Sequence, residues 1–231
     1  MINFIRILTF IIALVITFFS IFHIDPDQEI EQAQKAFYSG DMDQTIRLAR
    51  RSGSAFKENN KKVQALYLQA KAAMKMNWNK KAKVYLDQLL LIDEDNIMAL
   101  FLRGKLENSS GNFKSAYNDF KKGFDLKANI SKNTMAYYHS QFGLASLNLG
   151  DTDHAEKEAI KAISLNERLP EPHDLMSRVY EKKGNIKAAL DECERAYQLS
   201  VQRDKLSFMT PEGRELSDRL VNLRAQNIRL K

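Results

Sequence analysis

The sequence predicts an all-α fold, an α-solenoid of about five helix-turn-helix repeats. Small and apolar residues of one stretch recur thirty-four positions later: Gly143 as Ser177, Gly150 as Gly184, Ala155 as Ala189, Ala162 as Ala196 and Ile163 as Tyr197. A period of about 34 residues with two helices per unit is typical of helical solenoids. The composition agrees, because the 231 residues include only four Pro and nine Gly, the residues that most often interrupt helices.

The clearest repeat has the residues that each of its elements needs. Apolar side chains predict helix A over 135–149, and Gly150 ends it because glycine takes the left-handed conformation at little cost. Polar residues after this glycine can cap helix B, predicted over 153–165. Gly143 and Ala155 are small, so we expect the two helices to cross closely at these positions.

Similar marks begin near residues 26, 63, 97, 136 and 170, which defines a repeat domain over 26–203. This pattern resembles the tetratricopeptide repeat, with a small residue inside helix A, Gly at the turn, and Ala early and late in helix B. The first copy is degenerate, as expected of an end cap. The resemblance implies a right-handed solenoid that binds other proteins.

The N-terminus predicts a membrane anchor. Residues 7–24 are almost entirely apolar and would span roughly 27 Å as a helix, close to the ~30 Å hydrocarbon core. We therefore predict an uncleaved transmembrane signal anchor at 1–24, with a cleaved signal peptide and a buried first helix as alternatives. Arg6 precedes the run and acidic residues follow it, which favours repeats outside the cytoplasm, in the periplasm of a Gram-negative cell.

The C-terminus predicts a capping helix at 210–231. Thr210 and Pro211 form a typical N-cap and first helical residue. Leu216, Leu220 and Leu223 follow at helical spacing, so one apolar stripe can cover the end of the repeats. The alternative is a helix lying on a membrane surface.

No catalytic constellation emerges, so we expect no enzyme, no metal site and no cofactor. His139 and His173 share one repeat position, where the resemblance implies a bulky packing residue. Cys193 falls on an inward face and is interpreted as a small core residue, and Trp78 as an aromatic packed between helices. The formal net charge is +6, but the basic residues alternate with acidic ones, so nucleic-acid binding is not expected.

The resemblance also implies a concave protein-binding face made by helix A residues. Carried over to the second to fifth repeats, the positions are Tyr67, Leu68, Lys71 and Lys75; Phe101, Leu102, Lys105 and Asn108; Tyr137, Gln141, Leu144 and Asn148; and Asp174, Arg178 and Glu181. The candidate protein-binding residues are Tyr67, Lys71, Phe101, Lys105, Asn108, Tyr137 and Gln141. The lysines favour an acidic partner. The alternative that several of the aromatic residues belong to the core stays open.

These expectations combine into one function and one alternative. The first is a membrane-anchored protein–protein interaction scaffold that assists assembly of an envelope or secretion complex. The alternative is a regulatory or accessory subunit of a membrane-associated enzyme. The partner is a protein or peptide, and the membrane is contacted through the N-terminal helix.

Overall fold

The computed structural model describes residues 25–126 and 130–230, and every regular element in these ranges is helical. Eleven α-helices occur there: α1 Pro26–Ser39, α2 Met42–Ala55, α3 Asn59–Lys75, α4 Asn79–Ile92, α5 Ile97–Ser109, α6 Phe113–Asp125, α7 Lys132–Asn148, α8 Thr152–Leu165, α9 Pro170–Lys182, α10 Ile186–Arg203 and α11 Pro211–Arg229. A short 3-10 helix, Ser207–Met209, precedes α11. The predicted all-α class is confirmed for these residues.

The predicted membrane anchor at residues 1–24 lies outside the described ranges. Within those ranges, no helix combines the length and the apolar character that crossing a membrane requires. The anchor and the orientation that follows from it therefore stay predictions.

The helices form two compact units that divide after Glu94. In the first unit, α1 packs on α2, α2 on α3, and α3 on α4. In the second unit, α5 pairs with α6, α7 with α8, and α9 with α10, while α11 packs on α10. The helix that opens each pair therefore begins at residue 26, 59, 97, 132 or 170.

Left-handed backbone at the turns separates helix A from helix B in each pair. Gly150 has φ of 90°, as predicted from its position, and the Asp151 side chain accepts a hydrogen bond from the backbone N–H of His154 at 2.9 Å. At the α3–α4 turn Asn77 adopts φ of 57° without being a glycine. Asparagine tolerates this region better than most residues, so this repeat turns without the glycine of its neighbours.

Small residues allow helices to pack closely at the crossing that the sequence predicted. A Cβ added at Gly143 would clash with the Leu175 side chain and lie 3.1 Å from the carbonyl oxygen of Ala155. Ala155 itself has no exposed surface. Larger side chains at these two positions would therefore push α7 away from α8 and α9.

The helix α11 closes the end of the second unit. Its leucines complete a core cluster with residues of α10: Ala189, Leu190, Cys193, Ala196, Leu216, Leu220 and Leu223. Thr210 accepts a hydrogen bond from the backbone N–H of Gly213 at 3.0 Å, which confirms the predicted N-cap. Cys193 is fully buried, and burial raises the pKa of its thiol.

Trp78 is more exposed than predicted. It precedes α4 as the N-cap residue, and 36% of its surface is accessible. The ammonium of Lys81 lies 3.8 Å from the centre of the indole ring. The ring is therefore partly covered by a lysine from its own helix start, and its interpretation as an aromatic packed between helices is wrong.

Candidate protein-binding surface

Phe101 is a core residue, which corrects its prediction as a binding residue. Only 1% of its surface is exposed, and its ring centre lies 4.8 Å from that of Phe124 and 4.6 Å from that of Tyr138. Gly123 makes the space for this ring, because an added Cβ there would overlap it. The alternative that some aromatic residues of helix A belong to the core is therefore correct for this position.

Asn108 is also buried, with 8% of its surface exposed. Its side-chain Nδ2 donates a hydrogen bond to the backbone carbonyl of Gln141 at 2.8 Å, which ties α5 to α7. The Oδ1 atom is buried and has no hydrogen-bond partner among the described residues. Asn108 therefore links two A helices, while the Gln141 side chain stays half-buried at the surface.

Lys105 and Tyr137 form a pair in the second unit. The Lys105 ammonium lies 5.3 Å from the centre of the Tyr137 ring, within the range of a cation–π interaction. Burial raises the pKa of Tyr137, and the nearby Lys105 opposes that rise. Both residues are half-buried, so each is partly accessible to solvent.

A second group of aromatic and lysine side chains joins α1 to α3 in the first unit. We define the aromatic–lysine patch as Phe37, Tyr38, Tyr67, Lys71 and Lys75. The ammoniums of Lys71 and Lys75 lie 4.7 Å and 4.8 Å from the Phe37 ring centre, and Lys71 also lies 5.4 Å from that of Tyr67. Tyr38 meets Phe37 edge-on at 5.7 Å and is 84% exposed.

The lysines of these two groups rest on rings instead of carboxylates. Lys71, Lys75 and Lys105 form no ion pair within the described residues. Burial, and then the Lys75 charge, lower the pKa of Lys71. By contrast, Arg103 on α5 meets Asp119 at 2.7 Å. The predicted binding positions of α3 and α5 therefore carry lysines that have no direct ion-pair partner among the described residues.

The predicted positions of the fifth repeat are covered by α11. Arg178 bonds Asp174 at 2.9 Å and Glu215 of α11 at 2.7 Å. Arg219 of α11 reaches both Asp174 and Glu181. These charged side chains stabilise the capping helix, so they are not a free binding surface in this structure.

Two histidines use their repeat position in the same way. Nδ1 of His139 lies 2.6 Å from Oε2 of Glu158, and Nδ1 of His173 lies 2.6 Å from Oε2 of Glu192. Each pair joins helix A to helix B of one repeat. The first borders a cavity of about 250 Å³ with Phe124, Phe142 and Lys161 among its walls. No group of three or more potential metal ligands occurs in the described part of the chain.

Comparison with known protein families identifies tetratricopeptide repeats in this chain. The tetratricopeptide repeat family model matches residues 63–96 and 136–168, which overlap the helix pairs α3–α4 and α7–α8. No curated protein sequence matches the chain. The repeat type that the sequence predicted is therefore confirmed for these two stretches.

Solved structures with the same fold include other proteins of this repeat type. MamA 41-end from Desulfovibrio magneticus RS-1 is 16% identical and has a TM-score of 0.65, with 78% of this chain and 97% of that chain covered. TTC0263, a thermophilic TPR protein of Thermus thermophilus, is 17% identical and has a TM-score of 0.57, with 87% of this chain and 99% of that chain covered. A chain of the APC/C hetero-tetramer Cut9-Hcn1 is 17% identical and has a TM-score of 0.68, with 84% of this chain and 35% of that chain covered. At these identities the likeness concerns the fold.

Proposed function

We propose that this protein is a non-catalytic protein–protein interaction scaffold that binds its partner through A-helix side chains. The observation that carries the proposal is the state of Lys71 and Lys105. They occupy equivalent positions, thirty-four apart, in successive repeats, and each rests on a tyrosine ring without a carboxylate partner among the described residues. Tyr67 lies one turn before Lys71 on α3, whereas Tyr137 lies on α7, the A helix of the repeat after Lys105. Both ammoniums lack a direct carboxylate partner among the described residues, so they are suited to contacts with another molecule.

His139, His173 and Cys193 support a non-catalytic role, because each contributes to the packing of the fold. His139 and His173 link helices through glutamates, and Cys193 is a fully buried member of a core cluster. These side chains therefore stabilise the fold of the second unit.

We further propose that the apolar N-terminal segment anchors the protein, with the repeats outside the cytoplasm, and that the scaffold assists assembly of an envelope or secretion complex. The support is the apolar run at 7–24 with Arg6 before it. A reporter fused after Lys231 tests the orientation, and the mass of the membrane-extracted chain tests cleavage. Activity of a cytoplasm-only reporter, or a mature chain that starts near His23, would contradict the corresponding half.

Affinity capture of the full chain from its own membranes tests partner binding. We expect Lys71→Glu combined with Lys105→Glu to lose the partner that the wild-type chain retains. Lys157→Glu combined with Lys187→Glu is the matched control, because both residues are exposed on B helices and the charge change is the same. Equal capture by the two double variants would contradict the assigned surface.

A further inference from the structure

The aromatic–lysine patch has the chemistry of a site for a carboxylate. We propose that it binds an acidic segment of the partner protein, with an Asp or Glu carboxylate between Lys71 and Lys75 and an adjacent apolar or aromatic side chain against Tyr38. This inference rests on the proposed function and names the partner's chemistry and the unit that receives it. It includes Phe37 and Tyr38 of α1, outside the positions that the repeat resemblance implies.

The two ammoniums lie against the same ring. That of Lys71 lies 4.7 Å from the centre of the Phe37 ring, and that of Lys75 lies 4.8 Å from it. A ring face attracts the charge but accepts none of the three N–H donors in the way an oxygen does. A carboxylate would accept hydrogen bonds from both lysines and remove the repulsion between them.

The exposure of Tyr38 supplies the second half of the site. Its side chain is 84% exposed although it stands edge-on to Phe37. Tyrosine contributes large contact area at low entropic cost and is enriched among residues that dominate interface energies. An exposed tyrosine beside two lysines therefore suits a segment that carries both an acid and an apolar side chain.

A short acidic peptide fits this charge distribution better than an extended polyanion. The patch offers two cations, one helical turn apart on α3, beside one exposed tyrosine. An extended polyanion gains its affinity from many phosphate contacts along its length, whereas one or two carboxylates satisfy two lysines. A nucleic acid or an anionic membrane is therefore the disfavoured occupant and becomes an outcome of the test.

The test is selection of a random dodecapeptide library on the immobilised full chain in nonionic detergent. We expect peptides rich in Asp and Glu from the wild-type chain, and loss of that enrichment with Lys71→Glu combined with Lys75→Glu. Lys57→Glu combined with Lys80→Glu is the control, since both lysines are exposed in the same unit and the charge change is equal. For one selected peptide, the first double variant should raise Kd at least about tenfold and Tyr38→Ser several-fold.

The outcomes separate this inference from the proposed function. Peptides without acidic enrichment, or acidic peptides that bind equally to the Lys71 and Lys75 variant, overturn the acidic site while leaving partner capture from membranes as an independent result. Tyr38→Ser keeps the result independent of folding, because this exposed side chain is not part of the core. Tight binding of anionic vesicles or single-stranded DNA that depends on the same two lysines, without peptide binding, would also overturn it.

Discussion

Nδ1 of His139 lies 2.6 Å from Oε2 of Glu158, and this contact fastens α7 to α8. Only 2% of the Glu158 side chain is exposed, and Lys161 bonds its other oxygen at 2.8 Å. The same contact recurs thirty-four positions later between His173 and Glu192 at 2.6 Å. A polar bridge between the two helices is thus a repeated part of this fold, alongside the small residues at their crossing.

Glu158→Gln should destabilise the second unit in a pH-dependent way. Burial raises the pKa of Glu158, but hydrogen bonds from His139 and Lys161 and their charges outweigh burial and hold it below its usual value. Because the folded pKa lies below the unfolded value of about 4.3, the stabilisation is complete above that value and is lost as the pH falls through the folded pKa. We expect a loss of about 1–3 kcal/mol at pH 7.

Urea unfolding at pH 7 and near pH 3.5 measures this difference. The difference in free energy of unfolding between wild type and Glu158→Gln should be smaller near pH 3.5 than at pH 7. The side chain of Glu167 is 70% exposed, so Glu167→Gln should change the free energy of unfolding little at either pH. A gap that is equal at the two pH values would show that ionisation of Glu158 does not contribute to stability.

Residues 25–231 should fold without the segment that precedes them. The fragment keeps Asp25, whose side chain accepts hydrogen bonds from the first turn of α1, and all the helix pairs described above. Far-ultraviolet circular dichroism should show a helical spectrum with no appreciable sheet. Sheet content, or a spectrum of an unfolded chain, would contradict this expectation.

Ala155→Leu and Ala189→Leu should each lower the free energy of unfolding by about 1–3 kcal/mol, because a larger side chain would overpack a close helix crossing. Both alanines are fully buried, and Ala155 lies beside Gly143. Urea midpoints of the two variants measure the effect. Midpoints equal to that of the wild type would show that these crossings can open at no cost.

Phe101→Ala and Tyr38→Ala should behave oppositely. Phe101 is 1% exposed and Tyr38 is 84% exposed. Phe101→Ala should therefore lower the free energy of unfolding by about 3–5 kcal/mol, and Tyr38→Ala should change it by no more than about 0.5 kcal/mol. Thermal or urea unfolding reports both. A stable Phe101→Ala variant would return this residue to the candidate binding surface.

The sequence predicted the repeats well because their marks are local. Gly150 and Asp151 act within one turn, and Gly143 and Ala155 act at one helix crossing, so the spacing of residue types is enough to find them. The helical pairs begin within four residues of the predicted starts.

The binding surface was predicted less well because exposure depends on the neighbouring helix. Phe101 and Tyr67 are equivalent by spacing, but the gap at Gly123 admits the Phe101 ring into the core. Phe37 and Tyr38 were missed because the first repeat is degenerate. The two glutamates that pair with His139 and His173 could have been found, since they are themselves thirty-four apart.

We expect a protein partner to contact the A-helix side of the first repeats, and site-specific photo-crosslinking in living cells measures this contact. A photoreactive phenylalanine analogue replaces Tyr38 in one full-length chain and Ile160, which is 55% exposed on the B helix α8, in another. We expect a discrete crosslinked protein at Tyr38 that is absent at Ile160 and is lost when Lys71→Glu and Lys75→Glu are added. The same crosslinked products at both positions, or crosslinks at Ile160 alone, would show that the partner does not bind at this surface.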